Sequence, residues 1–172
     1  MTDTASSAPG PKYRDIREYL EELDRRGLLR RVSRTTNKDT EVMPLVRWQF
    51  RGLEAEQRTG WLFENLTDWR GRTFDAQMAV AIVCSGPQVY AAAMGVDSPD
   101  DIGAKWLEAQ QNPIPPVTVA AADAPVKENI IKGDDLLASG GIDQFPVPVV
   151  NPGTDSSAYF SAPIWIAKDP ET

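Results

Sequence analysis

The side chains that could do chemistry in this chain of 172 residues are carboxylates, lysines, arginines, tyrosines and one thiol, because histidine is absent. Without histidine, and with Cys84 as the single cysteine, the usual zinc and iron sites cannot be assembled from these residues. Ser-His-Asp and Cys-His machinery is excluded for the same reason. Cys84 follows the apolar run Met78 to Val83, so we expect it to be a buried small hydrophobe. Catalysis by this chain alone would therefore depend on carboxylate, Lys, Arg or Tyr side chains.

Two pairs of adjacent acids are the first candidates for such catalysis, Asp100-Asp101 and Asp134-Asp135. Adjacent residues do not face each other on a helix, so neither pair is arranged for general acid-base work. Ser98-Pro99 before the first pair is typical of a helix start, with acids in the first turn. A helix start or turn before Leu136-Leu137 accounts for the second pair. Both pairs therefore indicate structure and not an active site.

A third candidate is the polar triplet Lys127-Glu128-Asn129, which interrupts the apolar residues Val126 and Ile130-Ile131. In a strand, Lys127 and Asn129 would share one face. The structural interpretation is an exposed strand face, or an edge protected by charge; the functional one is a polar patch near a ligand or subunit contact. No nucleotide-binding glycine loop, paired C-x-x-C or nucleophile elbow is present. The residues alone indicate a soluble α/β domain without a visible active site.

Charge and hydropathy exclude several classes of partner. The net charge of −7 and the sequence pI near 4.6 argue against a nucleic-acid surface. No apolar run approaches the roughly 20 residues of a membrane span. Residues 1–11 are polar, do not resemble a signal peptide and are expected to be disordered. A single cysteine cannot form a disulfide within the chain, which suits a cytoplasmic location. A local basic cluster is predicted to be a solvated face beside acidic neighbours, and it consists of Arg25, Arg26, Arg30, Arg31 and Arg34.

Helices and strands alternate over residues 12–112, which we predict to be a mixed α/β module. Capping residues and apolar spacing predict helices from Asp15 to Gly27, Thr40 to Phe50, Gln88 to Met94, and Ser98 to Gln111. Short apolar runs predict strands at Leu28 to Ser33, Trp61 to Leu66 and, fully buried, Gln77 to Cys84.

Beyond Pro113 the chain is rich in proline, and residues 113–172 are predicted to begin a β-rich domain. The predicted β segments are Val117 to Ala121, Val126 to Ile131, Val147 to Val150, and Phe160 to Ala167. Lys168-Asp169-Pro170-Glu171-Thr172 is typical of a tight turn between two strands. The sequence stops at that turn, so we expect a hairpin that is interrupted, with Phe160 to Ala167 pairing with a strand from another chain.

The order of motifs resembles the N-terminal portion of the UbiD family of decarboxylases, which use prenylated FMN. Each motif alone is weak, but together they extend from Tyr13 to Thr172. The matching segments are Tyr13 to Leu20, Gly27 to Val32, Leu62 to Leu66, Ala91 to Gly95, Asn112 to Val117, Ala124 to Asn129, Gln144 to Pro148, and Lys168 to Thr172. Two segments depart from the family pattern: Val149-Val150-Asn151-Pro152 stands where many members carry a histidine, and Ser156-Ser157-Ala158 replaces a more glycine-rich run.

The resemblance implies an α/β fold in which an N-terminal mixed α/β module precedes the first strands of a β-rich, split-barrel-like flavin-binding domain. Family members hold prenylated FMN with a divalent metal (Mn or Mg) and K, using residues that follow the turn at Lys168 to Thr172. Their catalytic Arg and two Glu also lie downstream. The resemblance therefore assigns no catalytic, cofactor-binding or metal-binding residue to this chain.

The implied function is a non-catalytic N-terminal subunit or fragment of a reversible (de)carboxylase. Its substrates would be aromatic, heteroaromatic or α,β-unsaturated carboxylic acids, and a second polypeptide would carry the cofactor site within a higher homo- or hetero-oligomer. The chain would be either a natural subunit of a split enzyme or a truncated piece of a single-chain one. The alternative is a stand-alone, non-enzymatic binding or regulatory module derived from the same first domain.

Overall fold

A computed structural model describes residues 13–115, 117–151, 153–155 and 157–158. In that part of the chain, the α-helices are α1 (Ile16–Arg25), α2 (Val42–Gly52), α3 (Pro87–Met94), α4 (Ile102–Gln111) and α5 (Asp134–Ala138). The strands are β1 (Leu29–Asn37), β2 (Gly60–Thr67), β3 (Thr73–Phe74) and β4 (Met78–Val80). Short 3-10 turns cover Ala55–Gln57, Pro99–Asp101, Pro125–Lys127 and Gly141–Gln144. None of the helices described there is long and apolar enough to span a bilayer.

Strand β2 is the centre of one mixed sheet. It pairs in parallel with β1, from Leu29 opposite Gly60 to Asn37 opposite Thr67, with an irregularity between Val32 and Thr35. β3 and β4 both pair antiparallel with β2. Because β1 accompanies β2 along its whole length, β3 and β4 occupy the other edge of β2. The α/β fold class predicted from the sequence is confirmed.

Helices cover both faces of this sheet, since successive strand side chains point to opposite sides. On one face, Leu62 packs with Tyr19 and Leu23 of α1 and with Val89 and Ala92 of α3. On the other face, the side chains of α2 pack against the strands, and this second core consists of Val42, Val46, Trp61, Phe63, Leu66 and Met78. The apolar residues of the central strand therefore hold α1 and α3 on one side and α2 on the other.

The ends of the helices agree with the capping signals in the sequence. The Asp15 carboxylate accepts hydrogen bonds from the backbone N–H groups of Arg17 and Glu18, and Gly27 after α1 has φ +70°. Gly95 ends α3 with φ +75°, the left-handed conformation that glycine adopts without strain. Ser98 accepts from the N–H of Asp100 and opens the 3-10 turn that leads into α4. Helix α2 begins at Val42, after Glu41 and not at Thr40.

The prediction of a long buried strand over Gln77 to Cys84 is wrong for the second half of that segment. β4 ends at Val80, because Ala81 has φ +58° and turns the chain out of the sheet. Val83 is half exposed and Cys84 is exposed, so the prediction that Cys84 is a buried hydrophobe is also wrong. An apolar run does not by itself show where within it a strand ends and a turn begins.

The β segments predicted beyond Pro113 are not strands in the described residues. No regular structure forms at Val117 to Ala121 or Val147 to Val150, and the start of Val126 to Ile131 overlaps the 3-10 turn Pro125–Lys127. Lys127 and Asn129 therefore do not share a strand face. Prolines remove backbone donors around these segments, and none of them pairs with a described strand.

Asp134-Asp135 forms the first turn of α5, as the helix-start interpretation predicts. The segments Phe160 to Ala167 and Lys168 to Thr172, and the polar residues 1–11, lie outside the described residues. The predictions of an interrupted hairpin and of a disordered N-terminus therefore stay predictions.

Four of the five arginines of the basic cluster pair with neighbouring acids, as predicted. Arg25 and Arg26 both pair with Glu22. The remaining pairs are Arg26 with Asp97, Arg31 with Asp24 and Glu64, and Arg34 with Glu41. Arg30 lies over the ring of Trp61, 5.0 Å from its centroid. Such paired charges are a solvated face and carry no sign of a ligand site.

Glu22 gives this cluster a testable pH dependence. Hydrogen bonds from Arg25 and Arg26 lower the pKa of Glu22 from 4.5 to about 2. A carboxyl whose pKa is lowered by folding adds stability above its unfolded pKa, and that stability is lost as the pH falls towards the folded value. We therefore expect the wild-type protein to lose its greater free energy of unfolding relative to Glu22→Gln between about pH 4.5 and pH 2, as measured by urea unfolding at each pH. A difference in stability that stayed constant over this range would contradict the pairing of Glu22 with Arg25 and Arg26.

Candidate functional site

The carboxyl ends of β1 and β2 form a polar cleft of about 440 Å³. The two parallel strands end side by side at Asn37 and Thr67, and the N–H of Lys38 donates to the carbonyl of Thr67 at 2.8 Å. Side chains that follow neighbouring parallel strands meet at one edge of a sheet, where α/β proteins commonly bind ligands. The charged residues of its walls are Lys38, Asp39, Asp68, Arg70, Arg72 and Asp143, and Trp69, Val149, Gly153 and Ala158 complete the lining.

Lys38 is a buried cation at the base of this cleft, with 8% of the residue exposed. Its Nζ forms an ion pair of 2.5 Å with Oδ1 of Asp39 and donates at 2.9 Å to the carbonyl of Val147. Oδ2 of Asp39 accepts from the N–H of Trp69 at 3.3 Å. The buried ammonium is thus satisfied by one carboxylate and one carbonyl, as buried charges must be.

Asp68 orders the turn that follows β2. Its carboxylate accepts from the N–H groups of Arg70 and Arg72, both at 2.9 Å, and from Nε of Arg72 at 2.6 Å. Burial alone would raise the pKa of Asp68, but these hydrogen bonds, the Arg72 side chain foremost, hold it below its ordinary value. The three hydrogen bonds therefore favour the ionised carboxylate, which orders this turn.

The proline-rich segment 145–151 closes one side of the cleft. Pro146 and Val147 are buried, although most residues between Pro113 and Gln144 are exposed. Lys38 holds this segment through the carbonyl of Val147, and Arg47 of α2 contacts Oδ1 of Asn151. The cleft therefore attaches residues 145–151 to the α/β module. Its cations and carboxylates largely compensate one another, which leaves no clear choice of ligand.

The candidate residues from the sequence do not meet at this cleft. Asp100-Asp101 and Asp134-Asp135 lie at the starts of different helices, and Lys127 and Glu128 line a separate surface depression beside Pro125. Lys38 was missed by the sequence analysis. The only signal for it is a polar Lys-Asp pair directly after a strand. Within residues 13–115, 117–151, 153–155 and 157–158, no three His, Cys, Asp or Glu side chains are grouped closely enough to hold a metal ion.

Solved structures of UbiD-class enzymes share this fold. The UbiD-class enzyme HmfF from Pelotomaculum thermopropionicum matches in an evolved dimeric form in complex with prFMN, with a TM-score of 0.69 and 28% identity over 91% of this chain and 33% of that one. The same enzyme in complex with FMN gives a TM-score of 0.60 and 27% identity, over 80% of this chain and 27% of that chain.

A second enzyme adds support at the level of the fold. The vanillic acid decarboxylase of Sedimentibacter hydroxybenzoicus (ShVdcCD), in its closed form, has a TM-score of 0.62 and 23% identity, over 82% of this chain and 28% of that chain. No family model and no curated protein matches the chain. The resemblance identified from the sequence motifs is confirmed: the described residues have the fold of UbiD-class enzymes, and the chain spans about a third of their length.

Proposed function

We propose that this chain is a non-catalytic part of a UbiD-like reversible (de)carboxylase, completed by a second polypeptide that carries the cofactor site. The substrates would be aromatic, heteroaromatic or α,β-unsaturated carboxylic acids, and the assembled enzyme would be an oligomer in the cytoplasm. The observation that carries this proposal is the match to HmfF in complex with prFMN, with a TM-score of 0.69 over 91% of this chain. The vanillic acid decarboxylase ShVdcCD, which includes a component called ShVdcD, is a precedent for a two-chain enzyme.

The donor set of the described residues does not suit the cofactor. A flavin phosphate held by a divalent metal needs grouped carboxylate or imidazole ligands, and the described residues offer no such group. We therefore assign prenylated FMN, its divalent metal (Mn or Mg) and K to the second polypeptide. This chain would supply a scaffold for the cofactor-binding part.

Exposed apolar side chains support the need for further polypeptide. Beyond α4, Val117, Val126 and Leu137 are 85%, 87% and 80% exposed, whereas the α/β module buries its apolar residues in two cores. Apolar surface that is exposed over a long segment is typical of an interaction region. Coverage by the flavin-binding part of the enzyme would remove this surface from water.

Copurification with the product of a neighbouring reading frame tests the proposal. That frame should encode the continuation of the UbiD fold, with its Asn, Arg and downstream Glu residues. We expect the two chains to copurify, to show a flavin absorbance spectrum, and to release carbon dioxide from an unsaturated or aromatic acid. This chain alone is the control and should hold no flavin. If the combined chains bind no flavin under any condition, the enzymatic proposal fails and a binding or regulatory module becomes the better interpretation.

A further inference from the structure

Helix α2 presents an exposed stripe with the composition of an interface. Pro44, Arg47, Trp48 and Arg51 follow the spacing i, i+3, i+4 and i+7, so they lie on one side of the helix, opposite the buried residues. Trp48 is 74% exposed. Tryptophan and arginine are the residues that most often dominate the binding energy of protein interfaces. We refer to these four residues as the α2 stripe.

The cations of the α2 stripe lack the acidic neighbours that neutralise arginines such as Arg25 and Arg31. Among the residues that the structure describes, Arg47 hydrogen-bonds to the neutral side chain of Asn151, and Arg51 forms no hydrogen bond or ion pair. The sequence of α2 itself contains no acid. On a chain with a net charge of −7, this surface is a local positive patch around an exposed indole. Its charge fits an acidic partner.

The residues directly before helix α4 offer an acidic surface of the same chain, whereas Lys105 and Glu108 within the helix pair with each other. No residue of α4 is buried, and Trp106 and Leu107 are both more than half exposed. Asp100 and Asp101, directly before the helix, form no ion pair with any described residue. These side chains are therefore exposed to solvent like those of the α2 stripe. The two aspartates carry the charge opposite to that of the stripe.

The fold keeps these two surfaces apart within one molecule. α2 packs on one face of the sheet, while α4 packs on α3, which lies with α1 on the other face. We propose that the α2 stripe of one copy binds the acidic start and apolar side of α4 in a second copy, in a head-to-tail contact. This inference does not depend on the proposed decarboxylase function, because it concerns self-association of this chain alone.

The expected contact is weak, because each helix contributes only roughly 15 Å of length. A heterologous contact of this kind either closes into a ring or continues to larger assemblies. We therefore expect the weight-average molecular mass in solution to rise with protein concentration in low salt. Salt should weaken the association, because the arginines and aspartates are at the surface.

Sedimentation equilibrium with two variants tests the proposal. We expect Trp48→Ala/Arg51→Glu and Asp100→Lys/Asp101→Lys each to raise the dissociation constant by about ten-fold or more. A mixture of the two should form a heterodimer that grows no further, because each variant keeps one intact surface. The matched control Arg17→Glu/Trp69→Ala makes the same kinds of change at exposed positions outside the stripe and should associate like wild type.

A crosslink supplies a measurement that does not depend on the folding of α4 after charge reversal. With Arg51→Lys, a zero-length carbodiimide should form an intermolecular amide with Asp100 or Asp101, which peptide mass spectrometry would locate. The same treatment of Arg17→Lys should form no intermolecular amide with Asp100 or Asp101. Wild type that stays monomeric at about millimolar concentration in low salt, or a stripe variant that associates as strongly as wild type, would overturn the proposal.

Discussion

Replacing Lys38 with methionine is expected to destabilise the fold by about 3 kcal/mol, because it removes one partner of a buried ion pair. Methionine fills a similar volume, so the cost comes from the groups left behind. The carboxylate of Asp39 would lose its ion pair of 2.5 Å, and the carbonyl of Val147 would lose its donor. In a domain of this size, the loss corresponds to a melting temperature lower by roughly 6–12 °C.

Two further variants distinguish the contribution of the buried ion pair to stability from the effect of removing any lysine charge. Lys105→Met removes a lysine that pairs with Glu108 on the exposed side of α4, and it should cost less than about 0.5 kcal/mol. Lys38→Met/Asp39→Asn removes both charges and should recover part of the loss, because no unpaired carboxylate remains. Amide exchange should rise across residues 145–151 in Lys38→Met, since their anchor is lost. A free energy of unfolding for Lys38→Met within about 0.5 kcal/mol of the wild-type value, measured in urea, would disprove a stabilising role of the buried Lys38–Asp39 pair.

Local signals explain why much of the α/β module could be predicted from the sequence. Asp15, Gly27, Gly95 and Ser98 act on neighbouring backbone groups, so their effect on helix ends can be read from the residues around them. The strand from Trp61 to Leu66 was predicted within one residue at each end, because its apolar residues all enter a core.

The errors occur where tertiary context overrides a local pattern. Met78 to Val83 is continuously apolar, but Ala81 adopts a positive φ and the strand stops at Val80. The segments beyond Pro113 have β-type composition, yet a strand needs a neighbour to accept its hydrogen bonds. Among the described residues, neither Val117 to Ala121 nor Val126 to Ile131 pairs with a strand of the sheet.

The polar cleft could not be predicted because its parts are distant in the sequence. Lys38 and Val147 are separated by 109 positions, and their contact depends on the parallel pairing of β1 with β2. Asp39 contacts the backbone of Trp69 for the same reason. No local pattern distinguishes a lysine that ends a strand in solvent from one that is buried under a later segment. The register of the sheet decides this, and periodicity does not encode that register.

Replacing Gly86 with alanine is the second change with a large expected effect. Gly86 precedes α3 with φ −155° and ψ 169°, a conformation open to any residue, so the glycine is required by a close approach and not by its backbone angles. A Cβ at this position would lie 2.2 Å from the carbonyl oxygen of Ala55 and 3.3 Å from that of Arg58. Both atoms are backbone, so either residues 55–58 or the start of α3 must move.

Movement of α3 would disturb the core in which Val89 and Ala92 pack against Leu23 of α1. We expect Gly86→Ala to cost about 3 kcal/mol, the upper range for forcing an extra group into a packed site. Gly103→Ala is the matched control: Gly103 lies within α4, and an added Cβ would meet no atom within 4 Å apart from the backbone of its own helix and its chain neighbours. It should stabilise the chain by about 0.5–1 kcal/mol, because alanine favours a helix. Opposite signs for the two glycines in urea unfolding would show that α3 and residues 55–58 are in close contact, whereas a neutral Gly86→Ala would rule out that contact.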